Sequence, residues 1–393
     1  MSSDADDSAR RTVSQSLAYL QRGDATGALE LLNQAAGAHP ANLDIKLHQA
    51  LALRLLGRLP EALRAFDDAL AIDPYCFLGM LSKGAVLERM AQPRLAASVY
   101  RDALRIAPGP NNVSTALEAP IRHAREVVAA EAQALAAYLR EQLGTLRTQH
   151  GAEPFARFDE CLDVYAGTKR VYHAEPVQLH VPRLPAIPFF DRELFPWLPR
   201  LEAATETIRG ELLALLADGL PGFAPYIAYA PGTPVNQWAQ LNHSQLWSSL
   251  WLWRDGKSQD EAIARCPQTA AVLAEMPLAD QPGFAPTALF SALAPRTRIP
   301  PHTGSTNARL LVHLPLVLPG PAGFRVGNDI RSWRMGEAWV FDDTIEHEAW
   351  NDADEIRVIL IFDIWNPLLS LPERELICAM MTARNLWYSR GSS

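Results

Sequence analysis

A spacing of 34 residues governs the first quarter of the chain. Pro40, Pro74 and Pro108 recur at that step, as do Ala35, Ala69 and Ala103, and Ala28, Ala62 and Ala96. Bulky Leu32, Phe66 and Tyr100 stay in phase, and so do Gly23, Gly57 and Ala91 and the small Ser16, Ala50 and Gly84. Columns held in register over three units mean a repeat array. Each unit suits a helical hairpin: a small residue ends the first helix, alanines admit a close second helix, and proline separates the units. One hairpin cannot bury its apolar face alone, so the units must stack.

This pattern resembles the tetratricopeptide repeat over residues 9–110. The resemblance implies an α-solenoid whose concave groove receives a peptide or partner protein. Asp44, Leu47, Leu51 and Arg54, then Leu78, Leu81 and Glu88, are expected to line it. Residues 1–8 read as a flexible tail, and 111–169 as a helical cap and linker, because AREVVAAEAQALAAYLREQL has helical spacing without a breaker. GPNNVS and TQHGAEPF read as turn-like seams on either side. From about residue 170 prolines multiply and β-type runs appear. A second domain, 170–393 with a C-terminal helix, is expected there.

Composition narrows the function classes. The 393 residues suit two or three domains. With 36 basic and 44 acidic side chains the net charge is −8, which argues against a nucleic-acid binder that relies on a basic field. Cys76, Cys161, Cys266 and Cys378 stand far apart with no CxxC pair, so reduced thiols are expected rather than a zinc knuckle or disulfide framework. The polar, acidic start MSSDADDSARR has no signal-peptide character. No apolar run is long enough to span a membrane, and a cytoplasmic location is expected.

Three runs in the C-terminal half read as buried strands: RLLVHLPLVL from Arg309, AWVFD from Ala338 and EIRVILIFDIW from Glu355. Alternation puts Arg309, Leu311 and His313 on one face, with Leu310, Val312 and Leu314 opposite. It likewise sets Arg357, Ile359 and Ile361 against Ile356, Val358 and Leu360. Both faces are largely apolar, as in a sandwich or small barrel. An arginine on such a face requires an anion, either a ligand carboxylate or an acid such as Asp363.

His302 precedes the first run in PPHTG, and His347 follows the second in FDDTIEHEAW, 45 residues later. Arg357 lies ten residues beyond His347. The arrangement is similar to that of Fe(II) dioxygenases that use 2-oxoglutarate. Neutral imidazoles suit Fe(II) with open positions for a 2-oxo acid and dioxygen, and a guanidinium fixes the far carboxylate through paired hydrogen bonds. The acids around His347 (Asp342, Asp343, Glu346 and Glu348) read as a solvated loop.

Longer strings carry a more specific resemblance. His302-Thr303-Gly304-Ser305-Thr306-Asn307-Ala308-Arg309 matches the H-T-G-x-T-N-x-R signature of the aspartyl/asparaginyl β-hydroxylase family. Phe341 to Trp350 matches its F-D-D-[ST]-x-E-H-x-x-W signature. Similarity extends over roughly 185–368. It implies a double-stranded β-helix (a cupin-like jelly roll) with flanking helices. By this resemblance His302 and His347 are iron ligands and catalytic; Arg357, Ser291, His313 and Trp253 hold 2-oxoglutarate; and Arg309 faces a substrate or co-substrate carboxylate.

Gly304 occupies the place where most 2-oxoglutarate oxygenases carry a third, carboxylate ligand; this family commonly has glycine there. Leu311 stands where some members have another arginine, which puts strict aspartate specificity in doubt. The resemblance implies an Fe(II)- and 2-oxoglutarate-dependent dioxygenase acting on the β-carbon of Asp or Asn in a polypeptide brought by the repeats. The alternatives are a hydroxylase of a lipid or small acidic substrate on the same fold, and a repeat adaptor with weak turnover.

Overall fold

The computed structural model describes residues 2–109, 112–150 and 155–390. Its contacts divide the chain into two compact units, 1–170 and 171–393.

The first unit is helical. α1 (Ser2–Gln21), α2 (Ala25–Ala38), α3 (Leu43–Leu55), α4 (Leu59–Ile72), α5 (Phe77–Arg89) and α6 (Pro93–Arg105) form three hairpins. The side chains of Asp24 and Asn42 cap α2 and α3 by accepting from Gly27 N and Ile45 N. Gly23, Gly57 and Ala91 end the first helix of each hairpin in the left-handed region, at φ +80°, +75° and +57°. Alanine is strained there, so the third hairpin carries a cost the first two avoid. The columns also compensate one another: where Tyr100 replaces Phe66, Gly84 replaces Ala50, and a Cβ at 84 would strike the Tyr100 ring.

Two expectations are corrected in this unit. Residues 2–8, read as a tail, are the opening turns of α1; the stretch holds no proline or glycine to stop a helix. Leu81, placed in the groove, is buried in the core of the third hairpin with Ala96 and Tyr100. Glu88 is held by the Tyr100 hydroxyl at 2.7 Å and by His123 Nε2. His123 lies on α7 (Thr115–Gln149), the long helix after the repeats. α8 (Ala156–Ala166) packs Leu162 and Ala166 against Ala136 of α7. The two seams fall partly outside the described residues, at 110–111 and 151–154.

The second unit is an antiparallel sandwich. Its helices are α9 (Leu198–Ala203), α10 (Thr205–Ala217), α11 (Asp260–Arg265), α12 (Pro267–Ala274) and the C-terminal α13 (Leu371–Arg390). Its strands are β1 (Ala224–Pro225), β2 (Trp247–Arg254), β3 (Lys257–Ser258), β4 (Ala288–Leu293), β5 (Thr297–His302), β6 (Arg309–Val317), β7 (Ala322–Val326), β8 (Asp329–Ser332), β9 (Trp339–Phe341), β10 (His347–Asn351) and β11 (Arg357–Trp365). The larger sheet runs β1-β2-β4-β11-β6-β9, with β3 on β2; the smaller runs β5-β10-β7-β8.

Strand alternation divides the core as the sequence implies. Leu310, Val312 and Leu314 of β6 and Val358 and Leu360 of β11 face α9–α12 in one cluster. Leu293 and Ile359 from the larger sheet meet Ile299, Phe324 and Ala349 from the smaller in another. This is the double-stranded β-helix with flanking helices, and the site lies between its sheets.

Candidate active site

Register brings the two histidines together. β5 and β10 are antiparallel neighbours with His302 opposite His347, and their ring centroids are 4.0 Å apart. His302 Nδ1 lies 2.8 Å from the Pro300 carbonyl and His347 Nδ1 3.1 Å from that of Ile345. A carbonyl only accepts, so in each ring Nδ1 carries the proton and Nε2 keeps its lone pair. Burial lowers the pKa of both, that of His347 well below the ordinary range with further repulsion from His302. Two neutral imidazoles with free Nε2 atoms could hold a divalent transition metal.

Among the described residues no cluster of three His, Cys, Asp or Glu side chains forms a metal cage. Gly304 explains part of this, since a Cβ there would overlap the carboxyl group of Asp343. The loop carrying Gly304 is tied down by the proline-rich segment before it. Val177 N donates to the Gly304 carbonyl at 2.9 Å and Gln178 N to that of Ser305 at 3.0 Å. Asn307 clasps the same segment through Val181 N and O. Asn307 in the H-T-G-x-T-N-x-R string is therefore a structural anchor.

A cavity of about 350 Å³ opens beside the histidines and is lined by Ser291, His313, Arg357, Trp247, Trp333 and Asp343, among others. Arg357 is 1% exposed, and its Nε and Nη1 have no partner. Its guanidinium lies 5.3 Å from the Trp333 ring centroid. Burial pulls its pKa down to about 10. Asp363, the acid that could have paired with it, bonds Arg309 on the neighbouring strand instead. A buried, unpaired guanidinium is a costly arrangement unless an anion joins it.

Other polar groups converge on the same cavity. Ser291 lies opposite Ile359 of β11; its Oγ accepts from Trp247 Nε1 at 3.0 Å, leaving its own proton to donate. His313 Nδ1 is buried without a partner. Burial, then the nearby Arg357, holds His313 neutral, well below the usual histidine pKa. Arg357, Ser291 and His313 could together receive a small dicarboxylate.

Two expected residues stand elsewhere. Trp253 does not line the cavity; it packs on the core side with the helices. The register of β2 on β4 slips between Trp251 and Trp253, so that Trp253 lies opposite Ala288. This bulge turns Trp253 to the far face, and Trp247 is the tryptophan of β2 that lines the cavity. Arg309 lines an adjoining pocket with Asp255, Asp343 and Asp363. Its Nη1 is shared between Asp363 and the Phe284 carbonyl. The acids near His347 are not a solvated loop either. Asp342 is buried and accepts from Thr344 N, while Glu346 and Glu348 bond Arg325. Burial, reinforced by Asp342, raises the Asp343 carboxyl to about 8.

Sequence reasoning missed Trp238, Trp247 and Trp333. Trp238 meets the His302 ring edge-on at 5.0 Å, and Trp333 stacks on His313. For Trp247 a signal existed, because it and Trp251 share a face by simple alternation.

The model for the aspartyl/asparaginyl β-hydroxylase family matches residues 202–367, and that for the tetratricopeptide repeat matches 13–75. The chain is 34% identical over 213 residues to an ornithine lipid ester-linked acyl 2-hydroxylase of Rhizobium tropici, covering 53% of this chain and 70% of that protein. It is 37% identical over 136 residues to the aspartyl/asparaginyl β-hydroxylase of Mus musculus, covering 34% of this chain but 18% of that enzyme. Among solved structures, the secretion chaperone SycD of Yersinia enterocolitica matches 32% of this chain and 92% of its own, at 11% identity and a TM-score of 0.29.

Proposed function

The chain belongs to the aspartyl/asparaginyl β-hydroxylase family, and from that premise we propose that its second unit is an Fe(II)- and 2-oxoglutarate-dependent hydroxylase. The observation that carries the reading is the buried, unpaired guanidinium of Arg357 in the cavity beside two neutral histidines with free Nε2 atoms. Iron(II) bound there supplies the coupling of dioxygen to oxidative decarboxylation of 2-oxoglutarate, giving succinate, carbon dioxide and one oxygen atom inserted into a substrate C–H bond.

In this reading His302 and His347 hold the metal, each fixed in tautomer by a backbone carbonyl. Arg357 receives the far carboxylate of 2-oxoglutarate through parallel hydrogen bonds, and the Ser291 hydroxyl adds a third donor. His313, neutral and unpaired, meets the other end of the co-substrate. Trp238 and Trp247 wall the histidines from water, which strengthens each of these contacts. The protein's contribution is binding, orientation and exclusion of solvent.

Two substrate readings stand. The family's name supports the β-carbon of an aspartyl or asparaginyl residue in a polypeptide, with the repeats as the recruiting unit. The acyl hydroxylase relative and Leu311 on the cavity wall favour an acyl chain instead. Among the described residues no helix is long and apolar enough to cross a membrane. The test is conversion of 2-oxoglutarate to succinate by the purified full chain with Fe(II) in air. Succinate is expected from the wild type and not from His347→Ala; equal production by both would discard the assignment.

A further inference from the structure

A row of aromatic rings leads away from the paired histidines. β1 ends at Pro225, and Tyr226 N then donates to the Trp247 carbonyl at 2.9 Å, which lays Tyr226 alongside β2. Alternation along β2 puts Trp247 and Trp251 on one face, and the Tyr226 ring lies against both. Its centroid is 4.0 Å from that of Trp247 and 5.7 Å from that of Trp251, stacked at 16° in each case. At the inner end Trp247 lies 6.3 Å from the His302 ring, while Trp238 lies 5.0 Å from His302 and 5.9 Å from Trp247. Tyr226 lines both the cavity and the adjoining pocket. At the outer end the half-buried Trp251 lines that adjoining pocket and another beside it, bordered by Asp260 and Arg265.

Packing alone would accept phenylalanine at these positions. Tyrosine and tryptophan differ from it in one chemical respect: their rings give up an electron reversibly, and rings in contact pass it on. We propose that Trp247, Tyr226 and Trp251 form an electron relay that drains the metal site when dioxygen and 2-oxoglutarate are consumed with no substrate in place. The proposal rests on the hydroxylase reading above. Such an unproductive cycle leaves two oxidising equivalents and one oxygen atom beside Trp238 and Trp247. Two electrons pass inward from Tyr226 through Trp247, one at a time; with two protons from water they turn the oxygen atom into water and restore Fe(II). Each time, Tyr226 also releases its hydroxyl proton to water in the adjoining pocket. A hydrogen-atom donor such as ascorbate, oxidised to dehydroascorbate, returns two electrons by way of Trp251 and two protons through the solvent. The Arg254 guanidinium, 5.0 Å from the Trp251 ring centroid, disfavours positive charge on that ring, so the unpaired electron rests on Tyr226.

The test exposes the full chain, loaded with Fe(II) and 2-oxoglutarate, to air without substrate. Freeze-quenched samples are read by electron paramagnetic resonance, and the aged protein by peptide mass spectrometry. The wild type should show a tyrosyl radical that ascorbate removes. Tyr226→Phe, which keeps the stacked ring, should lose that radical, inactivate several-fold sooner and carry inserted oxygen on Trp238 or Trp247. Trp251→Phe should keep the radical but slow its removal by ascorbate several-fold. Tyr229→Phe, which lines the cavity outside the row, should behave as the wild type. Should Tyr226→Phe fail to fold, the wild-type radical and its slower removal in Trp251→Phe decide. Succinate formation in the same samples reads the hydroxylase assignment separately. A wild type that makes succinate without a tyrosyl radical, or a Tyr226→Phe protein with the wild-type lifetime and oxidation sites, overturns the relay alone. A wild type that makes no succinate overturns both.

Discussion

Replacing Arg357 by methionine separates a binding cation from a structural one. Burial alone pulls the guanidinium down to about 10, which corresponds to a cost on the order of 3 kcal/mol for holding the charge away from water. Methionine has similar reach and no charge, so the variant without co-substrate should melt no lower than the wild type. The second unit should gain up to about 3 kcal/mol, or roughly 6–12 °C at its size. Saturating 2-oxoglutarate, at about a hundredfold over its Kd, should stabilise the wild type by about 2.7 kcal/mol and leave Arg357→Met unmoved. The assay is thermal melting of the full chain with Mn(II), with and without 2-oxoglutarate. A variant that melts lower than the wild type and still gains the same shift from 2-oxoglutarate would refute the reasoning, since Arg357 would then be stabilising the fold.

Three further outcomes are expected. Trp247→Phe removes the donor that orients Ser291 and should raise the apparent KM for 2-oxoglutarate several-fold, while Trp253→Phe, on the other face, should leave it unchanged; steady-state succinate formation compares them. In the repeats, Ala91→Gly should raise stability by about 1 kcal/mol and Gly57→Ala lower it by a similar amount, because both positions have positive φ; denaturant melts read both. His313 has a folded pKa well below its ordinary value, so below about pH 6.5 the unfolded chain takes up a proton that the folded chain refuses, and stability falls as pH drops. His313→Gln should lose stability less steeply than the wild type, by up to about 1.4 kcal/mol per pH unit, when melts at pH 7 and pH 5 are compared.

The features legible in the sequence are those written as periods. The 34-residue columns placed the hairpin ends and the compensating pair Gly84 and Tyr100. Two-residue alternation in RLLVHLPLVL and EIRVILIFDIW puts Leu311 with His313 and Arg357 with Ile359 on shared faces, and those faces line the cavity. The features that stayed hidden depend on register and pairing across strands. A one-residue bulge in β2 exchanges Trp253 for Trp247, and no local pattern marks it. The sequence offers Asp363 as an acid for Arg357, but the antiparallel register that sets Leu311 opposite Asp363 gives it to Arg309 instead. Leu81 escaped for a related reason, because helical phase alone does not say how far a neighbouring helix closes over a groove.

The account turns on two histidines that hold one metal ion. Anaerobic equilibrium dialysis of Fe(II) against the full chain, with succinate formation assayed on the same preparations, tests it most directly. The wild type should retain about one Fe(II) per chain, and His302→Ala and His347→Ala should each retain less than about a tenth of that while melting within a few degrees of the wild type. Undiminished Fe(II) binding and succinate formation by both variants would contradict the assignment of the site.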